Sequence, residues 1–496
     1  HWLRRYVNVM LNRVKTLEQC FQVHQISGTT VYANNHYSLV RQDSLSATVA
    51  FSDERWNNAL IARILNFLGV ENCLVEVHSG YESASSDFNG ISTAPTLKRT
   101  VLKWGYKQVG KLTRCLMRDN DAFIINSYLP IKEAIKLELA LGQCPQIWRS
   151  PKIEVSDKHD RGLRERLAKL FVSKSGNNLE YILFAMVFEL LPSCYLEGFS
   201  NLNTFVKQQP WPKSPKFIFT SNNFDFDEVF KLWAATKAES GSKYYSGQHG
   251  SNYGTHRYLN DTVEEVTADN FFTWGWADCL PQHTTAFVFT TAGRKAKYYN
   301  PQGGLLLIEL HLEDRVPTWD VTSEHINYFE DQQNFVSDLT IMVKQNLTIR
   351  LHPTHRDSDW NEEARWQAFD PVLKIDTGGT PIRELIAESR LVVHSYDSTG
   401  ILETLSQNIP TLAFWRNDLD HLRESAKPYY QLLVDAGIVH LTAESVAQKV
   451  NEVWDDVDDW WGQGDVQDAR EKFCTRYARK SQKPIRELKQ IIKSIT

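Results

Sequence analysis

A run of small polar residues, SYDSTG (Ser395 to Gly400), separates two apolar stretches, and its hydroxyls suit an anionic ligand. The stretch before it, Leu391 to Val393, is β-type. Ile401 to Leu405 follows with helical spacing, and a turn at Asn408 to Pro410 leads to a second apolar run, Thr411 to Trp415. Strand, loop, helix and strand make one βαβ unit of a parallel sheet. In such sheets ligands sit beyond the carboxyl ends of the strands. A helix N-terminus there offers unpaired backbone N–H groups and a partial positive charge. Ser398 and Thr399 fall at that point with no acid or base between them and the helix, so the expected ligand group is a phosphate.

A second strand end, LTIRLHPTHRD (Leu347 to Asp357), points to the same chemistry. Pro353 takes the chain out of the sheet and leaves His352 at the carboxyl tip, on the same rim as Ser398. A His there donates a hydrogen bond to a phosphate oxygen, or a proton to a departing phosphate. Its plain alternative is a residue that only closes the strand. Arg350 faces the same way as His352 and would add a charge-assisted contact. Glu403 lies four residues after Thr399, on the same helix face, at a depth that suits a ribose diol; an exposed helix acid is the alternative. His352, His355, Asp357, Asp359 and His394 match none of the compact zinc spacings, and no metal is expected.

The first half offers carboxylates. FDFDEVF (Phe224 to Phe230) places Asp225, Asp227 and Glu228 at a helix start, where acids stabilise the helix dipole. Three carboxyls exceed what capping requires, and glycosyl transfer uses a carboxylate as base or nucleophile at an oxocarbenium-like centre. Asp53 in SDERWNN stands in a similar position. Gln248, His249 and Gly250 close the strand KYYSG. Gly250 permits close backbone approach, with Gln248 and His249 facing a cleft as hydrogen-bonding or acid–base groups; an ordinary turn is the competing idea.

These residues need rigid elements to hold them. At 496 residues, 42% hydrophobic and 23% charged, the chain is an ordinary globular protein too long for one core. Its net charge of −5 speaks against broad nucleic-acid binding. Seven cysteines, an odd number without CxxC pairs, suggest reduced thiols and a cytoplasmic place. The most apolar run, Tyr181 to Leu191, carries Glu189, stops at Pro192 and is too short to span a membrane. His1 to Gln25 reads as an amphipathic helix, and 79–98 as a polar loop. The chain opens inside a helical pattern at His1, which suggests a missing native N-terminus. Strands alternate with helices in both halves, so the expected fold is α/β, two doubly wound Rossmann-like domains facing a cleft. The expected divisions are 1–290, 291–470, and 471–496 as a basic C-terminal helix.

TSNNFDFDEVFKLW, YSGQHGSNYG, FFTWGW, LHPTHRD and SYDSTGILETL together resemble a bacterial family of surface-carbohydrate transferases built like the GT-B glycosyltransferases. The resemblance spans most of the chain, and the family's members look longer at the N-terminus. More distantly, the chain is similar to Kdo, sialic acid and pseudaminic acid transferases, whose His-Pro and Ser-Ser or Ser-Thr motifs hold the phosphate of a CMP-activated donor. That likeness implies His352, Ser398 and Thr399 as phosphate ligands and Glu403 as a ribose ligand. It also implies a retaining reaction with an aspartate nucleophile, for which Asp225, Asp227 and Asp53 are the candidates. The expected partners are a nucleotide-sugar donor and an oligosaccharide or lipid-linked glycan acceptor, with no nucleic acid and no metal or other cofactor. The basic tail would permit contact with the inner face of the inner membrane. The rival expectations are a UDP- or CDP-dependent transferase or epimerase of the same fold, and a non-catalytic glycan-assembly protein.

Overall fold

The computed structural model describes residues 1–32, 38–69, 74–78, 113–151, 153, 159–172, 178–259, 261–278, 280–294, 298–310, 325–355, 360–416 and 418–495. The expected loop at 79–98, and Asp357 and Asp359, lie outside them. β1 (Gly28–Tyr32) and β2 (Leu74–His78) form a small parallel pair. The amphipathic N-terminal helix Trp2–Val23 buries Trp2, Tyr6, Val9, Met10 and Val14 against helices Ser44–Phe51, Glu54–Leu68 and Asn178–Leu190. The SDERW start behaves as its residues require. Asp53 caps the helix by accepting from Trp56 N–H, and Gly69 stops it in the left-handed region at φ 60°.

The first large sheet holds β3 (Phe123–Ile124), β4 (Phe217–Thr220), β5 (Lys243–Gly247), β6 (Asn270–Thr273) and β7 (His283–Thr285), all parallel and side by side in sequence order. One face packs Phe217, Phe219, Tyr245 and Phe272 with Leu137. The other packs Phe123 and Ile218 with Phe230, Trp211 and Trp233. Aromatic runs buried on both faces are what a covered parallel sheet demands.

The second sheet holds β8 (Gly304–Ile308), β9 (Leu347–Arg350), β10 (Lys374–Asp376), β11 (Ser389–His394), β12 (Thr411–Phe414) and β13 (Val439–His440). Their spatial order is β10-β9-β8-β11-β12-β13, again all parallel. The winding therefore reverses between β8 and β11, the crevice where doubly wound sheets take ligands. Leu305 to Leu307 and Leu391 to Val393 are buried at that centre, each contributing about 1.5–3 kcal/mol. The α/β expectation of two parallel sheets holds, with the reversal confined to the second.

The C-terminal region differs from a single basic helix. Helix Gly464–Tyr477 packs Phe473 and Tyr477 around Tyr430 in the second unit. The chain then crosses, with Arg479 N–H donating to Trp274 O and Val288 N–H to Arg479 O. Helix Pro484–Ile495 buries Leu488 and Ile492 in the core of the first sheet. The last helix therefore fastens the second unit to the first. No helix among the described residues is long and apolar enough to cross a membrane.

Candidate functional site at the reversal of the second sheet

At the carboxyl end of β11 the backbone turns directly into helix Thr399–Gln407. Ser398 caps it: its Oγ accepts from Ile401 N–H at 3.3 Å and lies 3.2 Å from His394 Nδ1. Ser398 is 3% exposed, so its hydroxyl serves the fold and faces inward. Gly400 makes this packing possible, because a Cβ there would lie 2.5 Å from His394 Cε1. Burial holds the His394 imidazole down at about 3. Thr399 turns the other way. Its Oγ1 accepts from Ser251 N–H of the first unit at 2.9 Å, across the junction. Gly250 stands against it, where an added Cβ would be 3.2 Å from Thr399 Oγ1. The first turn of the helix carries no acid, and its leading N–H groups have no intrahelical acceptor. Glu403, one turn further in, is half-buried and makes no side-chain hydrogen bond or ion pair among the described residues.

The expected phosphate grip needs correction in its layout. β9, which ends before His352, and β11 are not neighbours, because β8 lies between them. Two strand spacings, about 10 Å, separate their tips. His352 is exposed on that rim, with Nδ1 2.7 Å from Thr354 Oγ1. Arg350 is not aimed at a ligand. It is buried and pairs with Asp376 at 2.5 Å, its register partner on β10. Sequence reasoning passed over the floor of the crevice. Glu309 follows β8 directly, is buried, and accepts from the Trp366 indole N–H at 3.0 Å. Burial pushes its carboxyl up to about 8, so it stays protonated at neutral pH. Tyr328 Oη bridges Leu310 N–H and Ser395 Oγ beside it. An acid ending the apolar run GGLLLIEL was the available signal.

On the first unit, most of the candidate carboxylates are engaged structurally. Asp225 pairs bidentately with Arg5 of the N-terminal helix, at 2.6 and 3.1 Å. Asp227 caps helix Glu228–Glu239 through Phe230 N–H, and burial raises its carboxyl above the ordinary range. Glu228 is buried, accepting from Ser44 N–H, Tyr195 Oη and Lys231. Asp53 is the cap described above. Gln248 shapes the strand end: its Oε1 accepts from Trp274 N–H and the Trp276 indole, and its Nε2 donates to Gly250 O. His249 is left half-buried between the rings of Tyr128, Phe224 and Tyr253. Burial lowers its proton affinity, against the opposing charges of Glu264 and Asp225. It stands next to the Gly250–Ser251 segment that meets Thr399.

Among the described residues, the His and Asp side chains that converge with metal-ligand spacing are His256, Asp397 and His421, a set missed in the sequence. His394 is buried under its helix. His355 Nδ1 lies 2.9 Å from His352 O, with Nε2 3.7 Å from Glu363.

Solved structures similar to this chain include the wall teichoic acid polymerase TagF with CDPG, at 12% identity and a TM-score of 0.37, over 80% of this chain and 95% of that one. MurG of Acinetobacter baumannii is similar at 8% identity and a TM-score of 0.39, over 76% and 99%. Arabidopsis thaliana UGT89C1 complexed with quercetin is similar at 9% identity and a TM-score of 0.41, over 76% and 99%. No curated protein sequence matches significantly. The profile of the LIC12162 family transferases matches residues 1–492, and the chain belongs to that family.

Proposed function

We propose that the chain is a GT-B glycosyltransferase that moves a nonulosonic-type sugar, of the Kdo, pseudaminic or sialic acid class, from CMP to a bacterial surface polysaccharide. The observation that carries this reading is the start of helix Thr399–Gln407. It is acid-free, lies at the winding reversal, and is met across the junction by Gly250 and Ser251. In this reading the leading N–H groups and Thr399 Oγ1 bind the donor phosphate, and Glu403 takes the ribose diol. His352 approaches from the β9 rim. The sugar–phosphate bond breaks with its electron pair going to the phosphate, whose charge the helix start stabilises without a metal ion in that step. His249 accepts the acceptor hydroxyl proton, and its lowered proton affinity keeps it neutral for that task. For the expected retaining course, Asp225 is the carboxylate among the three aspartate candidates whose charge reaches His249, and it would have to leave Arg5 to attack. The acceptor enters from the first unit, and closure excludes water from a hydrolysable donor.

A screen of CMP-sugars with released CMP as readout tests the reading, alongside calorimetric titration with CMP, CDP and UDP. Turnover of one CMP-sugar, with CMP bound more tightly than UDP, is the expected result. Tighter UDP or CDP binding moves the chain to the other donor class. Nucleotide binding without turnover of any donor makes it an assembly protein on a transferase fold.

A further inference from the structure

The two units touch through a short backbone zipper. Arg257 N–H donates to His421 O at 3.0 Å, Arg423 N–H donates to Thr255 O at 2.7 Å, and His256 pairs with Leu422 in an antiparallel bridge. The zipper sets the His256 and His421 rings beside each other, centroids 4.9 Å apart and tilted by 66°. Asp397, from the loop after β11, completes the group. Its Oδ2 lies 3.1 Å from His421 Nε2 and 4.0 Å from His256 Nε2, and one ligand atom from each residue falls within 4.8 Å of the others. At 4.0 Å His256 is not hydrogen-bonded to the carboxylate, so hydrogen bonding does not explain why it faces it.

We propose that His256, Asp397 and His421 bind one transition-metal ion, Zn²⁺ by its chemistry, which fastens the junction and anchors the loop carrying Ser398 and Thr399. Two imidazoles and a carboxylate suit Zn²⁺; Ca²⁺ and Mg²⁺ take oxygen ligands instead. Bonds of about 2.0–2.2 Å in a tetrahedron set ligand atoms roughly 3.3 Å apart. The Asp397–His421 pair already meets that spacing, His256 must close on Asp397 by under about 1 Å, and the ligand atoms all lie within 4.8 Å of one another. Three protein ligands leave a fourth position for water. Tyr430 Oη donates to both Asp397 oxygens, at 3.1 and 3.0 Å, and so fixes the carboxylate as outer partners of metal ligands do. The side chains of His256 and His421 are 17% and 21% exposed, which leaves an ion a way in.

The neighbouring cation is accounted for. Arg423 donates to the carbonyls of His256 and Leu259 and pairs with Asp278 at 3.2 Å, a carboxylate that also takes Arg476. Asp397 stands two residues before Thr399, so its negative charge would oppose an arriving phosphate. A cation on Asp397 removes that opposition while remaining apart from the donor. This inference goes beyond the proposed transfer and does not depend on it.

The test uses the tag-free chain, stripped with chelator and titrated with Co²⁺ as a visible probe for Zn²⁺. One equivalent should bind and produce the d–d bands of a four-coordinate site, and Zn²⁺ should raise the melting temperature. His256→Ala and His421→Ala should each abolish the bands and weaken uptake at least about tenfold. If His421→Ala fails to fold, His256→Asn, at a partly exposed loop position, reads the same loss. No stoichiometric uptake, or uptake unchanged in the His256 variants, overturns the site. CMP titration of the same samples separates the two readings, since metal uptake without CMP binding sinks only the transfer reaction.

Discussion

Two rims of the molecule share one local pattern, a strand, a polar loop and a helix, yet treat their helix starts oppositely. After β4, Asp227 caps the helix, Glu228 fills its first turn, and Asp225 is held by Arg5. The positive end of that helix is already neutralised by its own carboxylates. After β11, a serine supplies the cap and no acid follows in the first turn. There the dipole and the leading N–H groups remain available to an outside anion. The contrast is chemical: the first helix start is met by carboxylates of its own chain, and the second, with hydroxyls and glycine, has no acid in its first turn.

The largest expected effect breaks the first rim. Glu228→Ala leaves Lys231 and Tyr195 without their buried partner and should lower stability by about 3–5 kcal/mol in denaturant unfolding. CMP affinity of the remaining folded protein should be unchanged; a parallel loss of affinity would erase the contrast between the rims. Gly400→Ala attacks the second rim. Its Cβ would meet His394, so stability should fall by about 1–3 kcal/mol and CMP binding should become undetectable by calorimetry.

Thr399→Val and Ser398→Ala sharpen the distinction within one loop. The first should weaken CMP binding about tenfold, at a stability cost of about 0.5–1.5 kcal/mol for the lost acceptor of Ser251 N–H. The second should cost about 1 kcal/mol of stability, with a smaller effect on CMP, because Ser398 faces the helix. The reverse pattern would make Ser398 the ligand. The smallest effect is a pH slope. His394 is held at about 3 against an ordinary 6.5, so as pH falls below 6.5 the unfolded chain takes the proton first. Its contribution is complete above pH 6.5 and declines towards pH 3. His394→Asn should remove up to one proton of that slope, about 1.4 kcal/mol per pH unit, in melts followed across this range.

Local chemistry alone determined much of the fold. The apolar runs at Leu305 and Leu391, the caps at Asp53 and Ser398, the glycine stop at Gly69 and the helix that begins at Thr399 follow from period and side-chain type over a few residues. The site was legible to the same depth, as a helix start with hydroxyls at a strand's end. Tertiary structure decided who stands beside whom. It placed β8 between β9 and β11, gave Arg350 to Asp376 and Asp225 to Arg5, and brought His256, Asp397 and His421 together. Such pairings join segments far apart in the chain, and no local periodicity encodes which distant partner will neutralise a charge or fill a crevice.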